Sequence, residues 1–450
     1  MALAKIARSF GAAAFILGLL CFTAHAPAQY NQVLYVDCSA TLPTPPNYSS
    51  INAALYAATD RTAINVQAGT ICNESVYLSD LSNISIYSST GFTLNGNFTI
   101  QNSRSVYIFG VNVTNSHGDG INVNNSNAVT IEDSSSSNNS GSGLNISASN
   151  VTISHVDSFN YNAGGGVIAG GNSSLNFNGW WPIGAHFELI GNSGSGLKMD
   201  RSVLTVSGNM TISNTVPSIG GTFPDAFGII GWGGATGGLF DMTGPNFVTN
   251  NQGGGIFLAE TSEMSMGGGM PWATYPLTIQ GNGPYGIYIE FGAQVTIFGA
   301  TQILDHTIAG VDVYSNSQAN IFNGNQITHN GTGLDPGRAG LRVDGNSQAY
   351  VRGITFSQNG GPGILELVNS SVDLGSSTFS FNAGGAVVCD GSAVLKSDLP
   401  ASALGTANTC RVAPVMGIQR RSAVAPPSSN LPQWKTYVNK MHAFMAAHHN

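Results

Sequence analysis

The chain has 450 residues, only 8% of them charged, and 15 Lys and Arg stand against 23 Asp and Glu for a net charge of −8. That balance speaks against a nucleic-acid partner, which needs a basic stripe, and against a polyanion held by Lys and Arg. Gly and small polar residues are abundant, yet Ile, Val, Leu and Phe recur in register throughout, so the composition does not read as disorder.

Residues 1–28 read as a secretory signal peptide. Lys5 and Arg8 form a basic start, an apolar stretch runs from about Phe10 to Phe22, and small-residue cleavage signatures follow at Ala24-His25-Ala26 and Ala26-Pro27-Ala28. The apolar run is short for a membrane span, and no other segment approaches that length. The mature chain is therefore expected outside the cytoplasm, in a periplasm or at a cell surface, with no transmembrane segment. Four cysteines remain after the signal: Cys38, Cys72, Cys389 and Cys410. An even count in an exported chain points to disulfides. One pair lies near each end of the repeat described next, so Cys38–Cys72 and Cys389–Cys410 is the natural pairing. Neither pair has zinc-ligand spacing, and no metal or cofactor is expected.

Residues 29–80 are expected to form an N-terminal cap and the first strands. Tyr48-Ser49-Ser50-Ile51-Asn52-Ala53-Ala54-Leu55 reads as a short amphipathic helix, with Ser49 or Ser50 as its N-cap. From there to about residue 400 one phrase recurs: a glycine turn, a short alternating apolar segment and a polar turn. Clear copies are Gly118-Asp119-Gly120-Ile121-Asn122-Val123, Gly141-Ser142-Gly143-Leu144-Asn145-Ile146 and Gly253-Gly254-Gly255-Ile256-Phe257-Leu258. The last turn glycines, from 120 to 385, are eleven in number and 22 to 32 residues apart. A repeat of this size marks a solenoid, in which each unit buries its apolar face only against its neighbours. Each unit holds up to three segments of period 2, such as Leu144-Asn145-Ile146 and then Val151-Thr152-Ile153. The expectation is an all-β coil of about eleven turns, spanning 81–400, whose strands form three parallel sheets. Asn139, Asn162, Asn192, Asn251, Asn282 and Asn359 each stand four residues before a turn glycine and read as a stacked ladder rather than as a site.

The pattern Gly-x-Gly-Ile-x-Val, Asn-Ser-x-x-Val-x-Ile and x-Ile-x-x-Asn resembles the right-handed parallel β-helix repeat of the pectin lyase-like superfamily, over about residues 33–396. The resemblance implies that the short helix plugs the first coil. It does not imply one activity, because that fold hosts lyases, hydrolases, esterases, epimerases and adhesins. The family's catalytic patterns are not matched: His117-Gly118-Asp119-Gly120 only loosely echoes a polygalacturonase-like site, and Val106-Tyr107-Ile108-Phe109-Gly110 lacks the aspartate of an esterase-like one.

Two sets of residues stand out as candidate sites. Aligning Val129-Thr130-Ile131 with Val151-Thr152-Ile153 puts Asp133 one coil from His155, with Asp157 close by. A carboxylate orienting a histidine is a workable general base, and a ladder of polar turn residues is the plainer alternative. Asp305-His306 and His186/Glu188 are similar pairs. The second set is aromatic: Trp180, Trp181, Phe223, Trp232, Trp272 and Tyr275 fall in the longer units between 178 and 276. Rings spaced along a groove suit stacking on sugars. Alternatively these segments fold over and bury their rings in a satellite core. Trp180, Trp181, Trp232, Trp272 and Tyr275 are the ligand-binding candidates. After residue 400 the repeat fades into an Ala/Pro/Ser/Arg-rich linker, and Trp434, Val438, Met441 and Met445 share one face of a short terminal helix. The favoured reading is a secreted β-helix that binds a polysaccharide or cell-surface glycan, or serves as an adhesin-like scaffold. A polysaccharide-processing enzyme, a lyase or glycoside hydrolase using Asp133, His155 and Asp157, is the alternative.

Overall fold

A computed structural model describes residues 30–40, 47–178, 186–221, 223–239, 245–267, 276–404 and 410–412. The alternating segments become short parallel strands, each lying over its copy one unit away. Leu144, for example, sits between Ile121 of the preceding coil and Val167 of the next, in strict register. Thirteen such strands, from Val76–Ser79 to Val387–Cys389, make one face of the coil. Eleven of them follow the glycine turns; the two earliest, Val76–Ser79 and Phe98–Gln101, have no such turn before them. The second and third strand series form two further faces. They count as one 28-stranded sheet because Ser82–Asn95 and Arg104–Thr114 run unbroken around the corner between them.

Alternation decides what goes inside. Ile121, Leu144, Val167, Leu197, Ile229, Ile256, Ile287, Val311 and Leu341 stack inward along the thirteen-stranded face, none more than 2% exposed. Burying each is worth about 1.5–3 kcal/mol, which is the main force holding coil to coil. Glycine is required where the corner tightens. A Cβ on Gly286 would lie 2.5 Å from the Gly310 carbonyl and 2.6 Å from His306 Nε2.

The asparagines form the expected ladder. Asn139 Nδ2 donates to Asn162 Oδ1 at 3.0 Å, Asn162 Nδ2 to Asn192 Oδ1 at 3.2 Å, and Asn251 Nδ2 to Asn282 Oδ1 at 2.8 Å. Each accepting oxygen also takes the backbone N–H of the residue above it. His306 is a rung of this ladder rather than a base: it is fully buried, with Nδ1 3.1 Å from the Asn282 carbonyl and Nε2 3.1 Å from that of Ile279. Burial pulls its pKa down to about 4. Asp305 turns away from it and accepts from Gln280 Nε2.

The helix Ile51–Ala57 closes the first end. Ser50 is its N-cap and accepts from Ala53 N–H at 3.1 Å, while Glu74 accepts the N–H groups of Ile51 and Asn52. Ile51, Ala54 and Leu55 point into the core against the first coil. Cys38–Cys72 and Cys389–Cys410 are both bonded, with Cα separations of 5.1 and 4.8 Å. They staple the two places where a coil has a neighbour on one side only. No helix among the described residues is long and apolar enough to cross a membrane. The expected signal peptide, residues 1–28, and the tail beyond residue 412 lie outside the described residues.

Candidate functional site

The acid–imidazole group sits on the corner between the second and third faces. Glu132 pairs in register with Ser154, so the two following turn residues, Asp133 and His155, stack one coil apart. His155 Nδ1 lies 3.3 Å from Asp133 Oδ2, and its Nε2 lies 3.3 Å from Glu132 Oε1. The imidazole is thus clamped between two carboxylates, and Glu132 is a partner that the sequence alignment missed although it adjoins Asp133. Asp157 does not join the clamp by hydrogen bond. It is 1% exposed and accepts the Ser134 N–H at 2.7 Å, its other oxygen without a hydrogen-bond partner among the described residues. Burial, reinforced by the charges of Asp133 and Glu132, pushes its carboxyl well above the usual range. Asp133 also lines a shallow depression of about 460 Å³ walled by Gly69, Gly91, Gly110 and Asn112. His186 and Glu188 form a separate pair at 3.2 Å.

The outer side of the thirteen-stranded face carries a second and denser constellation. Register brings Ile230, Phe257, Tyr288, Asp312 and Arg342 into one outward column over five successive coils. Its first part is aromatic. Trp232 stacks on Phe257 with ring centroids 5.8 Å apart, and Phe257 stacks on Tyr288 at the same distance. Phe223 packs edge-on against Phe227, Phe257 and Tyr288 while staying 58% exposed, and the small satellite core itself is made by Phe227, Ile230, Phe257 and Ala259. Trp232 is not in an inserted loop; it ends the strand Phe227–Trp232. Strand alternation therefore aims it outward, and it lines an open trough of about 580 Å³ with Asp200, Arg201, Glu260 and Thr261. Trp180, Trp181, Trp272 and Tyr275 lie outside the described residues.

The second part of the column is ionic. Asp312 is 2% exposed although it points outward. Its Oδ2 lies 3.8 Å from Arg342 Nη1, and Arg342 Nη2 lies 3.0 Å from Asp344 Oδ2. Burial pushes the Asp312 carboxyl up to about 7, with the Arg342 charge opposing the rise. Beside it Tyr288 donates its hydroxyl to Glu290 Oε2 at 2.9 Å, and burial raises the pKa values of both groups. Neither Asp312 nor Arg342 was picked out from the sequence. The available signal was their shared place in the phrase, Gly310-Val311-Asp312-Val313 and Gly340-Leu341-Arg342-Val343, which makes opposite charges stack. Among the described residues, one His/Cys/Asp/Glu cluster without a disulfide is close enough to hold a cation, Glu132–Asp133–His155, and there the imidazole already has a carboxylate at each nitrogen.

A family described as the right handed beta helix region matches residues 272–399. Among solved structures the chain is similar to the pectate lyase Pel9A, at 12% identity and TM-score 0.41, over 61% of this chain and 78% of that one. It is also similar to the A-module of the Azotobacter vinelandii mannuronan C-5 epimerase AlgE4, at 14% identity and TM-score 0.34, over 80% and 94% of the two chains. A third is the catalytic domain of a GH87 α-1,3-glucanase, at 13% identity and TM-score 0.29, over 84% of this chain and 70% of that one. No curated protein matches the chain. The stacked repeat and the matched family together make this coil a right-handed parallel β-helix.

Proposed function

We propose that this protein is an exported β-helix that binds carbohydrate on the outer side of its thirteen-stranded face. The observation that carries the reading is the open trough beside Trp232. The indole is stacked on Phe257, and its ring forms a wall of the trough with Asp200, Arg201, Glu260 and Thr261 around it. A fixed aromatic wall flanked by hydrogen-bonding groups suits a sugar ring, whose C–H face packs on the π-system while its hydroxyls meet polar side chains. Export is supported by the signal-like start and by two formed disulfides, which persist in oxidising compartments.

A polysaccharide-processing activity is the second reading, favoured by the Glu132–His155–Asp133 clamp beside its glycine-walled depression. One panel of soluble polysaccharides separates the two. The first reading expects binding that falls about tenfold or more in Trp232→Ala, with no release of reducing ends or unsaturated products. Binding that is unchanged in Trp232→Ala contradicts it. Product release that disappears in His155→Ala would favour the second.

A further inference from the structure

Two polar atoms on this outer face have no hydrogen-bond partner among the described residues: Asp312 Oδ1 and Arg342 Nε, both cut off from solvent. They belong to side chains whose other atoms, Asp312 Oδ2 and Arg342 Nη1, lie 3.8 Å apart, so an open acceptor and an open donor stand on neighbouring rungs of one column. Buried polar atoms are almost always satisfied, and a pair left open on an outward sheet position invites a ligand group. We infer that Asp312 and Arg342 form a subsite for neighbouring hydroxyls of a neutral sugar, one hydroxyl donating to Asp312 Oδ1 and the next oxygen accepting from Arg342 Nε. This rests on the carbohydrate reading above and narrows it to a substrate class.

Neutrality follows from the surrounding charges. Asp344, Asp335 and Glu290 all act on Asp312, whose own carboxyl is raised by burial as that of Glu290 is, and against them stands the Arg342 guanidinium, already bonded to Asp344. A uronate carboxylate brought here would meet net repulsion, whereas a hydroxyl pair supplies the missing donor and acceptor without charge. The aromatic column leads into the subsite, since Tyr288 precedes Asp312 in register and Tyr285 packs on Tyr288 at 4.8 Å.

The roof is the 331–338 loop, part of one of the long units. Its Gly337 lies so close that an added Cβ would be 3.0 Å from Arg342 Nη1. The hydrogen bonds of its outer part close within the loop itself: Gly337 N–H to Asp335 Oδ1, Arg338 N–H to the Asp335 carbonyl, and Arg338 Nη1 to the Gly333 carbonyl. The anchors are at its base, where Gly331 and Gly333 donate to the His306 and Thr307 carbonyls. Such a loop can lift without breaking sheet bonds, which gives a sugar its way in.

The test is calorimetric titration of the full exported chain with maltotetraose, cellotetraose, mannotetraose and tetragalacturonate. Wild type is compared with Asp312→Asn and Trp232→Ala, each checked for a cooperative thermal transition. The expected result is that a neutral tetrasaccharide binds and tetragalacturonate binds about tenfold more weakly or not at all. Asp312→Asn should weaken the neutral sugar about tenfold and narrow its margin over tetragalacturonate, which a merely structural role would not do. Equal or tighter binding of tetragalacturonate by wild type overturns the subsite, as does Asp312→Asn binding like wild type. If Asp312→Asn is silent while Trp232→Ala loses binding, the carbohydrate face stands and the subsite falls. The opposite pattern keeps the subsite and removes the trough. No binding of any tetrasaccharide by wild type overturns both.

Discussion

Replacing Asn282 by leucine is expected to lower stability by about 3 kcal/mol or more, a fall of roughly 5 °C in the unfolding midpoint. The size of the effect comes from how many groups depend on one amide. Asn282 Oδ1 accepts both the backbone N–H and the Nδ2 of Asn251, and its own Nδ2 donates to the Val248 carbonyl. All of these lie in a corner where Asn251 and Asn282 are at most 1% exposed, so no water replaces the lost partner. Each orphaned buried group costs about 1–3 kcal/mol, and leucine also lacks room beside the turn. The contrast is Asn150→Leu. Asn150 makes a comparable side-chain bond, to Asn127 at 2.9 Å, but in an exposed ladder. Its loss should stay within about 1 kcal/mol. Thermal melts of the two variants read the difference, and equal midpoints would mean that the buried ladder is dispensable.

The second large effect is on pH. Asp157, Asp312 and Glu366 are carboxyls enclosed by the fold, and burial raises all three, Asp312 to about 7 and Glu366 to about 8. In the unfolded chain each ionises near pH 4. Between about pH 4 and pH 8 the folded state therefore holds protons that the unfolded state has released. Their favourable contribution is complete below the unfolded pKa and is lost as pH rises through the folded values. The groups facing Asp312 are Arg342, which opposes the rise, and Asp344, Asp335 and Glu290, which add to it. His306 works the other way: its folded pKa of about 4 means that stability is lost as pH falls from about 6.5 toward 4. One histidine against three carboxyls leaves a net decline on the alkaline side. The unfolding midpoint should be several degrees higher at pH 5.5 than at pH 8.5, and Asp157→Asn with Asp312→Asn and Glu366→Gln should flatten the profile. A wild-type midpoint that rises between those two pH values would show that these carboxyls are not buried as described.

The fold was legible because every coil must solve the same steric problem. Val129, Val151 and Leu175 stack over one another, so the inward positions repeat with the period of the coil and print themselves on the sequence. Gly286 and Asn282 repeat for the same reason: the corner admits only a residue without a side chain next to one that bonds up and down the stack. The three expected faces are there, joined on one side by strands that turn the corner without a break.

Outward positions obey no such rule, and that is why the candidate site was harder to read. Asp312 is one of five different residues in its column, preceded by Ile230, Phe257 and Tyr288 and followed by Arg342. Its partner Arg342 lies one coil further on, and the residues between them include the 331–338 loop, whose Gly337 lies against the Arg342 guanidinium. Trp232 illustrates the same point from the other side. It was chosen as part of a long unit, but what exposes it is the end of a strand and the ring of Phe257 behind it. Asp133 and His155 could be paired from the sequence because both sit in the turn after an aligned strand, while Glu132 was overlooked because an outward strand residue carries no repeat signal.

The central claim is that carbohydrate is engaged on the outer side of the thirteen-stranded face. Hydrogen–deuterium exchange with and without the tightest-binding tetrasaccharide tests it most directly, since it locates the ligand without any substitution. Slowed exchange is expected in 229–232, 257–261 and 331–338, with no change in 129–135 and 151–158. Protection confined to 129–135 and 151–158 would place the ligand at the His155 corner and contradict it.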